Sequence, residues 1–183
     1  MKVDQLAEFL SKPLGVKPGT VIDRAKELRA AGLLSVGKQG TAGAQMTSRD
    51  AVNLLLANLL DKNYGESVAD NVKRVRDLRN DEHMKSDPAG FVPDLPFFHA
   101  ATAGDAIDAS LDAARSRPLT KWDCSFNVTV ESRGDSVLID ISKERSTAVC
   151  GFGQDRPRWI ERRTTITFGL LLRLACELGR LPD

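Results

Sequence analysis

Lys17, Thr20 and Arg24 stand at i, i+3 and i+7, a spacing that puts three hydrogen-bonding side chains on one helical face. Two are cations suited to phosphate oxygens and to the acceptor edge of guanine. The third is a short hydroxyl that can donate or accept at a base edge. Lys26 follows on the same segment. A glycine-broken loop then presents Lys38, Gln39 and Thr41 between Gly37, Gly40 and Gly43. Glycines let a backbone come close to a surface, and a cation at the tip can reach phosphate. This set of residues suits recognition of a polyanion better than bond making.

Two further basic groups are weaker candidates. Lys73, Arg74, Arg76 and Arg79 fall on the polar side of a helical pattern. A face of this kind is more simply solvated, with phosphate contact through Lys73 and Arg76 as a secondary expectation. Arg156, Arg158, Arg162 and Arg163 surround Trp159. An edge strand kept soluble by charge explains them, although Arg158 and Arg162 beside an aromatic also suit nucleic acid.

Residues that would carry catalysis are sparse. His83 and His99 have no second ligand at i+3 or i+4, so no metal is expected. Cys124, Cys150 and Cys176 are scattered, without a CxxC pair, and read as thiols in a reducing compartment. Gly151-Phe152-Gly153 leads to Arg156-Pro157 with no following helix pattern, which makes it a turn and not a phosphate loop. Asp105 and Asp108 suit the outside of a helix start, where they complement its dipole. Arg133-Gly134-Asp135 reads as a hairpin tip. No cofactor is expected, and the chain does not read as an enzyme.

The elements that must position these residues follow from periodicity. Val3 to Leu10 has a helical stripe of Leu6, Phe9 and Leu10, and Pro13 predicts its end near Ser11. Gly15 offers the positive φ of a sharp turn. Pro18 suits the first turn of a second helix with Val21, Ala25 and Leu28 inside and Lys17, Thr20, Arg24 and Lys26 outside. Gly32 caps it. Leu33 to Val36 and Gln45 to Thr47 then read as the two strands of a small hairpin. Thr47 with Asp50 resembles a capping box opening a helix, Ser48 to Asp61, with Val52, Leu55, Leu56 and Leu59 inside. Asn63-Tyr64-Gly65 is a turn. Ser67 to Arg79 is a further helix on Val68, Val72, Val75 and Leu78. Asn80 to Pro96 is charged and carries Pro88, Pro93 and Pro96, as a linker would.

The second half changes grammar. A short helix spans Asp105 to Arg115. Phe126, Val128 and Val130, then Val137, Ile139 and Ile141, then Ala148, Cys150 and Phe152, then Ile160, Thr164, Ile166 and Phe168 alternate as four strands. Leu171, Leu174, Ala175 and Leu178 make a last helix. The fold class expected is α+β: an N-terminal helical winged unit, then a small antiparallel sheet with helices on one face. Three parts follow: residues 1–80, a linker 81–104, and an α+β body 105–183.

The chain has 183 residues, with 26 Lys+Arg against 25 Asp+Glu. Residues 1–85 hold 14 basic and 11 acidic side chains, so the modest positive excess sits with the proposed contact residues. Apolar runs are too short for a membrane span, and the start of the chain lacks the apolar core of a signal peptide. A cytoplasmic protein without membrane contact is the expectation.

Gly15-Val16-Lys17-Pro18-Gly19-Thr20-Val21 and Glu27-Leu28-Arg29-Ala30-Ala31-Gly32-Leu33-Leu34 resemble the turn, recognition-helix opening and helix exit of winged helix-turn-helix regulators. The layout also resembles small prophage or mobile-element proteins. The resemblance covers roughly the first third of the chain. It implies a sequence-specific DNA-binding transcriptional regulator that meets double-stranded DNA through Lys17, Thr20, Arg24, Lys26, Lys38, Gln39 and Thr41. Self-association would supply the phosphate contacts that one such unit lacks. The alternatives are a phage small-terminase-like DNA-packaging subunit and an enzyme sited in the sheet.

Overall fold

The computed structural model describes residues 1–37, 44–60, 66–86, 96–116, 125–131, 136–143, 146–153 and 163–179. Four helices come first: α1 Val3–Leu14, α2 Pro18–Ala30, α3 Ser48–Leu59 and α4 Val68–Arg76. Strand β1 Asn80–Ser86, a 3-10 turn Pro96–His99 and helix α5 Ala103–Ser116 follow. The rest is β2 Ser125–Glu131, β3 Ser136–Lys143, β4 Ser146–Gly153, β5 Arg163–Ile166 and α6 Phe168–Gly179. The class is α+β, as the patterns imply.

α1 and α2 end in the same way. Val16 N–H reaches Ser11 O at 3.1 Å and Gly15 N–H reaches Lys12 O at 3.3 Å, with Gly15 at φ 65°. Leu33 N–H reaches Leu28 O at 2.8 Å and Gly32 N–H reaches Arg29 O at 3.0 Å, with Gly32 at φ 72°. Both are Schellman closures, and each needs a residue that tolerates the left-handed region. α1 outruns its expected end at Ser11: Pro13 lies inside its last turn. Pro13 forfeits one helical hydrogen bond there, while the Gly15 closure and the Ser11 hydroxyl, donating to Glu8 O at 2.8 Å, satisfy carbonyls of the last turns.

The hairpin expected after α2 is not formed among the described residues, where Leu33 to Val36 and Gln45 to Thr47 have no strand structure. Side chains of α3 tie this segment down instead. Asp50 accepts from Ser35 N–H and from Thr47 N–H, both at 2.8 Å, and Asn53 Nδ2 donates to Leu33 O at 2.7 Å. The Thr47–Asp50 capping box is present as read. With these partners met by side chains, the backbone does not need a second strand here. Lys38 to Gly43 lie outside the described residues.

The segment read as a linker begins with β1, which lies on the edge of a five-stranded antiparallel sheet of order β1-β4-β3-β2-β5. Its polar and charged residues concealed it, because an edge strand tolerates them; Pro88, Pro93 and Pro96 come after it in the sequence. The last strand also differs from its expected extent. β5 is Arg163–Ile166, Phe168 opens α6, and β5 pairs with β2, so the chain crosses the sheet between β4 and β5. Ile160 falls outside the described residues.

Val128, Val130, Val137, Ile139, Ala148, Cys150 and Phe152 are buried on one sheet face. They belong to the same apolar cluster as Leu6, Leu10, Leu28, Leu54, Leu55, Ile107, Leu111 and Leu174, so the core runs from α1 through the sheet to α6. The other face carries Thr129 and Thr165, whose hydroxyls meet at 3.1 Å. Asp140 lies on that face opposite Val149, and partial burial holds its carboxyl above the usual aspartate range.

Candidate nucleic-acid interface

The helix pair α1–α2 turns at Gly15 and sends α2 outward at its N-terminus. Lys17, Pro18, Gly19 and Thr20 are all exposed, while Val21, Ala25 and Leu28 are buried. The sequence therefore assigns the two faces of α2 correctly over its first turn.

That turn differs electrostatically from its neighbours. At α1, Gln5 Oε1 accepts from Lys2 N–H at 2.9 Å. At α3, Thr47 Oγ1 accepts from Asp50 N–H at 3.1 Å, and at α4 Ser67 Oγ accepts from Asp70 N–H at 3.1 Å. At α5, Thr102 Oγ1 accepts from Asp105 N–H at 3.2 Å. α2 has no side-chain cap and no acidic residue in its first turn. The positive end of its dipole thus meets no capping side chain among the described residues, and Lys17 adds a cation beside it. A Cβ at Gly19 would meet nothing within 4 Å among the described residues, so none of them closes the approach to this turn.

Arg24 behaves differently from its neighbours. Its guanidinium turns inward, donating to Ala57 O and lying 3.4 Å from Asn58 Oδ1 at the end of α3. α3 carries no basic residue in its own last turn, so Arg24 supplies the cation that its carbonyl end favours. The expectation that Arg24 reads bases from the exposed face is corrected: it is half-buried and joins α2 to α3. Lys26 is exposed, and its ammonium pairs with Asp23 at 2.9 Å.

The second basic face is divided. α4 ends at Arg76, short of the expected Arg79. Arg76 is only 6% exposed and does not face water. Its guanidinium donates to Asn53 Oδ1 at 3.0 Å and to Asp108 at 3.2 and 2.6 Å. It is a junction between α3, α4 and α5, not a phosphate contact. Asp108 accordingly serves this pair and not its own helix dipole, which Asp105 complements from the first turn of α5. The sequence held a sign of this: Gly104, one turn before Asp108, leaves room that a Cβ would close to 2.9 Å from Arg76 Cβ. Lys73 and Arg79 remain exposed, and Arg74 donates to Asn71 Oδ1 at 2.9 Å.

Lys38, Gln39, Thr41, Arg158 and Arg162 lie outside the described residues, as do Trp159 and Cys124. Cys150 is buried with its thiol toward Phe98 O, and Cys176 is exposed. His99 stands in the 3-10 turn with its ring edge-on to Phe98. Among the described residues no group of three or more His, Cys, Asp or Glu side chains is placed to hold a metal ion. No described helix is long and apolar enough to cross a membrane. No family model, curated protein or solved structure matches the chain.

Proposed function

We propose that this protein binds double-stranded DNA through the first turn of α2 and acts as a sequence-specific transcriptional regulator. The observation that carries the reading is the α2 N-terminus: exposed, without a side-chain cap among the described residues, without acid in its first turn, and flanked by Lys17 and Thr20. Pro18 has no N–H and Thr20 N–H already donates to Lys17 O at 3.0 Å, so Gly19 N–H and the Lys17 ammonium would hold phosphate, and the Thr20 hydroxyl would reach a base edge. Arg24 acts one step back by fixing α2 against the end of α3, so that the turn is presented rigidly. One such turn makes few phosphate contacts, and self-association through the remainder of the chain would multiply them.

Selection of bound duplexes from a randomised pool tests the reading. The full chain enriches a defined motif, and Thr20→Ala relaxes preference at one or two positions of it while general affinity stays close to wild type. A pool that stays random after selection with the wild-type chain would remove sequence-specific recognition from the account.

A further inference from the structure

A cleft of about 990 Å³ opens between α1 and α6, beside the start of α2. Its lining has two characters. Phe9, Pro13 and Leu170 give it apolar side chains, and Lys12 and Arg173 bring two cations from different helices. Phe9 and Leu170 are half-buried, whereas Lys12 and Arg173 are exposed. Neither Lys12 nor Arg173 makes a side-chain hydrogen bond or ion pair among the described residues. Glu8, one helical turn before Lys12, also lines the cleft, as does Met1, whose ammonium donates to Gln45 Oε1 at 3.1 Å, so the described lining residues carry three positive charges and one negative.

The geometry points to a binding site for an amphipathic monocarboxylate, its apolar body on Phe9, Pro13 and Leu170 and its carboxylate between Lys12 and Arg173. The volume is at the upper end of the roughly 300–1,000 Å³ usual for small-molecule sites. Two exposed cations from separate helices beside apolar side chains match a ligand with one charged end. An arginine fork can take both carboxylate oxygens, with Lys12 as a second point charge. The cleft reaches Pro18 in the first turn of α2 but neither Lys17 nor Thr20, and a titration without DNA reads it apart from the proposed DNA contact.

Isothermal titration of the full chain with sodium decanoate, below its micelle concentration and without DNA, tests the assignment. Saturable binding of one decanoate per chain is expected, and decan-1-ol should bind about tenfold more weakly because it lacks the charge. Arg173→Gln and Lys12→Gln should each weaken decanoate severalfold without moving the thermal unfolding midpoint, since both side chains are exposed. Leu170→Asp should abolish it. Absence of saturable decanoate binding would overturn the site. So would binding that decanol matches, or binding unchanged in both glutamine variants.

Discussion

Two arginines of the helical half, Arg24 and Arg76, stand in sequence much as Lys17 does, on the polar side of a helix. In the fold their surroundings diverge. Around the start of α2, Lys17 and Thr20 stay exposed and the helix end has no side-chain cap among the described residues. At the junction of α3, α4 and α5, Arg76 is enclosed by Asn53 and Asp108. Arg24 lies between these extremes, with its charge engaged by the end of α3. A cation on a helix therefore does not announce its role by spacing. Whether a neighbouring element brings a carboxylate or a helix C-terminus within reach decides it.

The contrast can be broken most severely at the junction. Arg76→Met should destabilise the protein by about 3 kcal/mol in urea unfolding, because Asp108 and Asn53 lose their shared donor in a place with little water. Adding Asp108→Leu should recover part of that loss, since the unpaired charge is then gone too. A single-variant loss below about 0.5 kcal/mol would reduce Arg76 to an ordinary surface cation.

Asp50 tests the anchoring of the segment after α2. Asp50→Ala removes acceptors from Ser35 N–H, Thr47 N–H and the Thr47 hydroxyl at once. A stability loss of about 2 kcal/mol is expected, with faster amide hydrogen exchange at Ser35 as its local signature. Slow exchange retained at Ser35 would contradict this anchoring.

Arg24→Ala sharpens the middle case. The protein should lose about 1 kcal/mol of stability, from the missing hydrogen bond to Ala57 O and the missing cation at the end of α3. The effect on DNA affinity should be smaller than that of Lys17→Ala. A variant of unchanged stability that loses DNA binding outright would return Arg24 to the contact surface.

The smallest effect is expected in the sheet. Desolvation raises the Asp140 carboxyl in the folded chain, so the unfolded chain ionises first as pH rises. Stability contributed by this group is fully present below the ordinary aspartate pKa and falls as pH climbs toward the raised folded value. Asp140→Asn should flatten that fall and raise the neutral-pH unfolding midpoint slightly. An acid-side stability profile identical to wild type would show that Asp140 does not contribute to it.

Much of the helical half was legible in sequence because its signals are local. Gly15, Pro18, the Val21–Ala25–Leu28 stripe and the Thr47–Asp50 cap each act within a turn or two, and each sits where expected. Misread features depended on distant partners. β1 is polar and becomes a strand only because β4 offers an edge. The expected hairpin is replaced by Asp50 and Asn53 of α3 holding the chain. β5 pairs with β2 across the sheet, which local alternation cannot reveal. For the same reason Arg76 is no phosphate contact: Asp108 and Asn53, from two other helices, claim its guanidinium.

The most direct measurement of the central claim is fluorescence anisotropy of labelled duplex DNA with the full chain, titrated from about 50 to 200 mM salt. Binding at low salt that weakens steeply as salt rises, and that falls about tenfold with a shallower salt slope in Lys17→Glu, is the predicted result. Absence of binding at the lowest salt, or identical affinity and slope in Lys17→Glu, would contradict the assignment of the α2 N-terminus as the contact.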